Sequence, residues 1–173
     1  RIIKGILSGK AMNYEGEHFK AEVPGVASAL MRHRPDLPVY IGATGPLMNK
    51  LAGRIADGLL LPGLTSSGFV RNAKERLIIG FEAAGRTIEE PFPIGGVILA
   101  AVSKDGDEAR EATRGPTAMY VVNKVKNIQN DEILTSSGVS EEVLGPLRDA
   151  VRAGEGDLTD QITDDTMRQF NVV

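Results

Sequence analysis

An apolar run, a glycine-rich turn, an amphipathic helix and a second apolar run follow one another over residues 38–61, and this order constrains the fold more than any other feature. The run Val39–Ile41 stops at the segment Gly-Ala-Thr-Gly-Pro, residues 42–46. Pro46 suits the first turn of a helix, where its missing N–H costs nothing. Leu59–Leu61 is apolar at every position, which is typical of a strand covered on both faces in a parallel sheet.

The helix predicted over residues 46–56 carries two adjacent rows of apolar residues. One row has i, i+4, i+8 spacing, and the next row lies beside it: Leu47, Leu51 and Ile55, then Met48, Ala52 and Ala56. Two adjacent rows of this kind predict one buried stripe that faces the core. Asp57-Gly58 is expected to end the helix.

The same alternation repeats further along the chain. A helix is predicted over about 70–84, closed by Gly85, and a third apolar strand over 94–102. Asp105, with Glu108 three residues on, predicts the capped start of another helix. Strands near 39–42, 59–61 and 94–102 should therefore be parallel neighbours in one sheet, since helical connections are long enough for right-handed crossovers. The pattern predicts an α/β fold.

The two flanks are less regular. Before residue 38 we predict a short helix over about 2–9, a hairpin that turns at Glu15-Gly16, and a second short helix near residues 27–38. After Pro116 the pattern changes, and the C-terminal third is predicted to be helical. Ser140 is the expected cap of one of these helices, and residues 163–170 form a last short one.

The composition excludes several classes of function. The chain has 173 residues, 42% hydrophobic and 25% charged, which is ordinary for a globular protein, and we treat residues 1–173 as a single domain. Its net charge of −3 and scattered basic residues favour neither nucleic acid nor a membrane surface as partner. The absence of cysteine excludes disulfides and thiolate zinc sites. With no apolar run of membrane-spanning length and no secretory signal, we expect a cytoplasmic protein.

The segment 42–46 would lie where ligands gather in parallel α/β folds, at the carboxyl end of a strand and before a helix N-terminus. Free backbone N–H groups and the helix dipole favour an anion there. Gly42 and Gly45 would allow close approach of the backbone, and Thr44 adds a hydroxyl donor, so a phosphate or the edge of a flat cofactor would fit. The alternative, that the glycines only make a tight turn, stays open. The spacing G-x-x-G-P matches neither the dinucleotide fingerprint nor the Walker phosphate loop.

The stretch PVYIGATGPLMNKLAGRIADGLLL resembles the central segment of the luciferase-like monooxygenase family, particularly its deazaflavin-dependent branch. IIKGILSGKAMNYEGEHF, FEAAGRT and VSKDGDEAREATR agree in order and spacing. The resemblance implies the C-terminal part of a (β/α)8 TIM barrel and an oxidoreductase that passes a hydride from reduced coenzyme F420 to methylenetetrahydromethanopterin or a similar acceptor. An FMN-dependent monooxygenase is the alternative. The resemblance also implies that five residues bind the cofactor: Gly42, Ala43, Thr44, Gly45 and Pro46. Pro62-Gly63 is a weaker candidate for the same pocket.

The departures from the family are equally informative. Three strands cannot close an eight-stranded barrel, so the resemblance covers only the C-terminal part of the family. The family's proton-handling residues lie in its N-terminal strands, and we assign no catalytic residue. We also assign no metal ligand and no acid–base pair to the groups that were weighed for these roles: His18 with His33, Glu89 with Glu90, and Asp105, Asp107 and Glu108. We expect a small-molecule substrate, and a homo-oligomer, a barrel completed by other polypeptide, or a non-catalytic fragment.

Overall fold

The computed structural model describes residues 1–25, 36–87, 92–127, 131–136 and 139–170, which divide between two compact units, residues 1–39 and 40–173. The described residues of the first unit include the helix α1 (Ile2–Leu7) and an antiparallel hairpin of β1 (Met12–Glu15) and β2 (Lys20–Val23). The Gly16 N–H donates to the Phe19 carbonyl over 2.9 Å and closes the turn, so the predicted hairpin is confirmed. The second short helix predicted near residues 27–38 falls mostly outside the described residues.

The second unit begins with a three-stranded sheet and continues into helices. Its elements in chain order are β3 (Tyr40–Gly42), α2 (Pro46–Ile55), β4 (Gly58–Leu61), α3 (Ser67–Ala83), β5 (Ile94–Gly96), α4 (Gly106–Lys126), α5 (Asp131–Thr135), α6 (Glu141–Arg152), a 3-10 turn (Thr159–Gln161) and α7 (Asp164–Gln169). The strands are all parallel, in the order β3-β4-β5, and Leu59 lies between Ile41 and Ile94 in register. The predicted parallel sheet is confirmed.

The buried face of α2 differs from the predicted apolar stripe. It consists of small residues and one amide: Ala52, Gly53, Ala56 and Asn49. Leu47 is 81% exposed and Ile55 is 59% exposed, so the prediction that both lie in the core is wrong. The reason is the close crossing of α2 and α3, where a Cβ added to Gly53 would lie 2.2 Å from the Leu77 carbonyl oxygen. Large side chains cannot occupy that face.

Strand β4 is covered on one face only. Leu59 and Leu61 are buried together with residues of α2 and α3, whereas Leu60 is 44% exposed. Leu60 pairs with Gly42 on one side and Gly95 on the other, and these partners share its face of the sheet. The expectation that β4 is covered on both faces is therefore wrong for the described residues, since α2 and α3 both pack on the Leu59 face and Leu60 stays exposed.

The third strand is shorter than predicted. Strand β5 ends at Gly96 rather than at residue 102. Pairing stops where Leu61 meets Gly96, because β4 ends there and offers no further backbone partner. Beyond that point Ile98 is 80% exposed and Val102 is fully exposed. The apolar composition of residues 97–102 predicted a strand that has no neighbour to pair with.

Helix α4 runs without a break through Pro116, where the sequence predicted a change. A proline within a helix removes one hydrogen bond to the carbonyl four residues before it. Pro116 and Ala112 both lie on the exposed side of α4, so water can satisfy the freed carbonyl. The buried side carries Thr117 and Val121, and packing of this side keeps the helix continuous.

Two helix starts differ in detail from the predicted caps. The Asp105 carboxylate accepts from the Asp107 N–H over 2.8 Å, which confirms the start of α4. Glu108 instead accepts from the Ser103 hydroxyl over 2.6 Å, so no capping box forms. Ser140 occupies the N-cap position of α6, but its side chain makes no cap hydrogen bond. Instead, the carboxylates of Glu141 and Glu142 lie in the first turn of α6, where they interact favourably with the helix dipole.

The helical third has its own core, formed chiefly by α4, α6 and α7. Arg114 on α4 links these elements: it donates to Asp164 over 2.7 Å and to Glu111 over 2.8 Å, and also to the Ile162 carbonyl. The hydrogen bond from Arg114 lowers the pKa of Asp164. The predicted helical C-terminal third is confirmed. In the described part of the chain, every helix is too short or too polar to cross a membrane.

Candidate functional site

The segment Gly42–Pro46 joins the end of β3 to the N-terminus of α2. Ala43 is buried, and its N–H donates to the Leu60 carbonyl over 3.0 Å, which ties the segment to the neighbouring strand. Gly45 occupies the N-cap position with φ −94° and ψ 164°, and Pro46 is the first helical residue. The five residues thus form one turn at the carboxyl end of the parallel sheet, where the sequence predicted them.

The N-terminus of α2 has no side-chain cap. The N–H groups of Leu47 and Met48 lie in its first turn, where no helical carbonyl precedes them. Thr44 is half-buried, and its hydroxyl makes no hydrogen bond to the described residues. The segment contains no titratable side chain, so its electrostatics come from backbone dipoles. These donors together form a positive helix end that suits an anion.

Gly42 and Gly45 are not required by the turn itself. Among the described residues, the glycines with positive φ are elsewhere: Gly9, Gly85 and Gly154. A Cβ added to Gly42 or Gly45 would meet no heavy atom within 4 Å. Other L-residues could therefore stand at both positions without strain or collision. This openness leaves the backbone of both residues accessible to a ligand.

The neighbouring loop after β4 is closed by contrast. A Cβ on Gly63 would lie 2.6 Å from the Tyr120 ring, so Gly63 packs closely against Tyr120 of α4. The Ser66 hydroxyl caps α3 by accepting from the Phe69 N–H over 3.1 Å, and it donates to the Ser136 carbonyl over 2.6 Å. The weaker candidate Pro62-Gly63 therefore offers little free backbone, and of the two helices α2 and α3 it is α2 that begins without a side-chain cap.

The same loop nevertheless lines a cavity that the sequence did not reveal. Leu64 has φ 60°, an unusual conformation for a residue other than glycine, and its side chain is buried in the helical core. Its neighbour Thr65 faces a cavity of about 350 Å³ between this loop and the residues after β5. No sequence signal marks a leucine as left-handed, so this feature could be found only from the structure.

The remaining groups weighed from the sequence form no second site in the described residues. His18 is exposed, and the described acidic and imidazole groups include no cluster suited to a metal ion. Asp105 and Glu108 serve the start of α4. His33 and the pair Glu89-Glu90 lie outside the described residues. Burial lowers the pKa of Lys124 on α4, and no ligand-binding feature in the described residues accompanies that shift.

The whole chain matches the model of a known family. Residues 1–173 match the luciferase-like monooxygenase family. This match, with the parallel sheet and the glycine segment at its carboxyl edge, defines the class of the molecule: the chain belongs to the luciferase-like monooxygenase family.

Particular relatives narrow the comparison. The chain is 30% identical to 5,10-methylenetetrahydromethanopterin reductase of Archaeoglobus fulgidus over 99% of its length and 50% of that protein. It is 33% identical to F420-dependent glucose-6-phosphate dehydrogenase of Nakamurella multipartita over 63% of its length and 31% of that protein. The fold matches coenzyme F420 dependent tetrahydromethanopterin reductase of Methanopyrus kandleri with a TM-score of 0.65 and 26% identity, over 96% of this chain and 46% of that one.

The chain therefore spans about half the length of the reductases it matches. The fold class is confirmed: an α/β chain with a parallel sheet that corresponds to about half of a TIM-barrel reductase.

Proposed function

We propose that this chain is part of an F420-dependent oxidoreductase that transfers a hydride from reduced deazaflavin to methylenetetrahydromethanopterin or a similar acceptor, and that Gly42–Pro46 binds the cofactor. Its similarity to a coenzyme F420 dependent reductase and to an F420-dependent dehydrogenase supports the cofactor, and its similarity to methylenetetrahydromethanopterin reductase supports the acceptor. One observation carries the assignment of the site. The uncapped N-terminus of α2 lies beside two glycines whose Cβ positions are open.

The donor set of this segment fits a phosphate-bearing cofactor. The N–H groups of Leu47 and Met48 and the Thr44 hydroxyl can all donate to phosphate oxygens, and the dipole of α2 adds a favourable field. Gly42 and Gly45 allow the cofactor to approach the backbone, and buried Ala43 holds the turn against β4. Coenzyme F420 supplies the hydride when bound. The described residues position it and contribute no assigned proton donor.

An FMN-dependent monooxygenase of the same family is the second candidate. It rests on the same observation, because FMN also carries a phosphate and the segment does not distinguish the two ring systems. Similarity to the F420-dependent reductase of known structure and to the F420-dependent dehydrogenase favours F420.

The open side of the sheet supports a barrel that is completed by further polypeptide. Leu60 is exposed on the uncovered face, and β3 and β5 are edge strands of the described sheet. Exposed edges and apolar faces favour association. We propose that residues 1–173 act as one partial-barrel domain in a cytoplasmic protein, completed by additional strands or by a second copy. A non-catalytic fragment that needs a partner chain is the alternative.

The test is the identity and affinity of the bound chromophore in the intact gene product. We expect the purified protein to bind oxidised F420, followed by quenching of its fluorescence, and to oxidise reduced F420 when the acceptor is added. Preferential binding of FMN with a flavin absorption spectrum would select the second candidate. Binding of neither cofactor by an intact, folded protein would contradict both.

A further inference from the structure

Helix α3 exposes a row of three residues that carries opposite charges at its two ends. Lys74, Ile78 and Glu82 follow one another with i, i+4, i+8 spacing, so they lie along one face of the helix. All three are exposed, and Ile78 is 42% exposed although its side chain is apolar. The row therefore presents a cation, an apolar residue and an anion, each about one turn from the next.

This row is separate from the uncovered face of the sheet. Helix α3 packs on the Leu59 side of β4, whereas Leu60 is exposed on the other side. Each member of the row comes one position after a member of a buried row, which corresponds to a rotation of about 100° around the helix. The buried row consists of Ala73, Leu77 and Phe81. A contact at the exposed row would therefore not compete with strands that complete the barrel.

Neither charged member of the row has a partner within the described part of the chain. Lys74 and Glu82 make no ion pair and no hydrogen bond with the described residues. Along the helix they are about 12 Å apart, so they cannot pair with each other. A surface with the same three groups in the opposite order would complement both charges and cover the apolar residue between them.

A second copy of α3 in the antiparallel direction has this opposite order. With a two-fold axis at Ile78, Lys74 of each copy faces Glu82 of the other, and Ile78 faces its own counterpart. An apolar centre with a charged rim is the usual arrangement of a protein interface. A parallel pair of helices would place like charges opposite each other, which is unfavourable, so the charges select the antiparallel orientation.

The neighbouring exposed residues are compatible with this arrangement. Ile79, which is 47% exposed, lies beside Ile78 and enlarges the apolar centre. Arg71 is a second exposed cation near Lys74 and extends the positive end of the row. The exposed Glu75 lies opposite an uncharged position of the other copy, so it meets no like charge there.

We propose that two copies of this protein associate through α3, packed antiparallel about a two-fold axis at Ile78. The contact of one helix with its counterpart is small, so the association is weak, with a Kd on the order of 10–100 µM. The charge order of the row carries this proposal, which is independent of the cofactor assigned to the segment Gly42–Pro46.

A charge-reversal cycle, followed by sedimentation equilibrium of the intact protein, tests the proposal. Lys74→Glu and Glu82→Lys each place like charges face to face at both ends and should weaken self-association at least about tenfold. The double variant restores opposite charges and should associate within about threefold of wild type, as should an equimolar mixture of the two single variants. Lys104→Glu reverses an exposed charge outside α3 and should associate like wild type.

Two results of this cycle overturn the proposal. The first is wild-type self-association that neither single variant weakens, or a wild-type protein that stays monomeric at millimolar concentration. The second is a double variant that associates as weakly as the single variants, because a merely disruptive substitution is not rescued by a second one.

Cross-linking tests the position of the axis. The 173-residue sequence contains no cysteine, so one introduced thiol reports one position. Ile78→Cys should form a disulfide-linked dimer under mild oxidation, since a residue on a two-fold axis lies opposite its own counterpart and a disulfide needs Cβ atoms about 4 Å apart. Ile55→Cys, at a residue that is 59% exposed on α2, is the matched control and should cross-link at least about tenfold more slowly. Equal cross-linking rates of the two variants overturn the proposal.

Discussion

Two pairs of glycines in the second unit, Gly42 with Gly45 and Gly53 with Gly80, differ in what surrounds them. A Cβ on Gly53 would lie 2.2 Å from the Leu77 carbonyl oxygen, and one on Gly80 would lie 2.1 Å from a backbone carbonyl oxygen of α2. A Cβ on either loop glycine would meet nothing within 4 Å. The helix crossing requires its glycines for packing, and the loop does not. We propose that a ligand accounts for glycine at the open positions, and the following predictions test this.

The largest effect is expected at the closed pair. Gly53→Ala places a methyl group against the backbone of α3 at Leu77. Because α2 and α3 must then separate, the free energy of unfolding should fall by about 3 kcal/mol or more. Gly106→Ala, at a helical glycine whose Cβ position meets only the Arg110 side chain at 3.5 Å, is the matched control and should stabilise by up to about 0.5–1 kcal/mol. Urea unfolding of both variants measures the difference. If Gly53→Ala and the control variant have equal free energies of unfolding, the crossing of α2 and α3 tolerates a side chain.

Replacing Thr44 should weaken F420 binding without lowering the free energy of unfolding. Thr44→Ala removes one hydroxyl donor to a charged group, which is worth about 1.5–3 kcal/mol, or a ten- to hundredfold increase in the Kd of F420. Thr44→Ser retains the donor and should bind within about threefold of wild type. Fluorescence titration of the intact protein measures both. If alanine and serine bind equally well, the hydroxyl does not contact the cofactor.

Asn49 tests whether the crossing of α2 and α3 and the Gly42–Pro46 segment are independent. It lies on the buried face of α2, one turn after that segment. Its side chain is fully buried, and among the described residues neither its oxygen nor its nitrogen has a hydrogen-bond partner. Asn49→Ala removes these unpaired polar atoms without adding bulk at the helix crossing and should raise the free energy of unfolding by about 1 kcal/mol. F420 affinity should stay the same. A stabilised variant that binds F420 more weakly would show that the buried amide supports the loop.

The smallest effect is expected at Leu64, which adopts a glycine-like conformation with φ 60°. Leu64→Ala and Leu64→Gly both lose the buried side chain, but only glycine also relieves the strain. The glycine variant should therefore be more stable than the alanine variant by about 1 kcal/mol, the reverse of the usual order. Thermal unfolding of the two proteins gives the comparison. The usual order, with alanine more stable, would mean that the left-handed conformation is not retained.

Local signals predicted much of the fold. Pro46 at the start of α2 and Gly85 after α3, with φ 61°, are positions where backbone chemistry alone dictates the residue. The three parallel strands followed from apolar runs separated by amphipathic helices. The predictions that were wrong concern features that depend on tertiary contacts. Neither the exposure of Leu47 nor the early end of β5 at Gly96 can be deduced from a run of apolar letters, because each depends on which element packs alongside.

The candidate site was predicted in part. The position of Gly42–Pro46 at a strand end followed from the sequence, and so did its suitability for an anion. The open space beside the glycines did not, because a glycine in a sequence does not show whether packing or a ligand explains it. The cavity beside Thr65 was missed because it depends on the left-handed Leu64 and on a buried contact between distant segments.

The most direct test of the central claim is a joint measurement of F420 affinity and unfolding on Gly45→Val in the intact protein. The account predicts that the Kd of F420 rises about tenfold or more, corresponding to ~1.4 kcal/mol, because the branched side chain fills the space beside the helix N-terminus. The free energy of unfolding should stay within about 0.5 kcal/mol of wild type, since φ −94° suits valine and no atom lies within 4 Å. An unchanged Kd, together with a destabilised protein, would contradict the account and make Gly45 a residue of the turn alone.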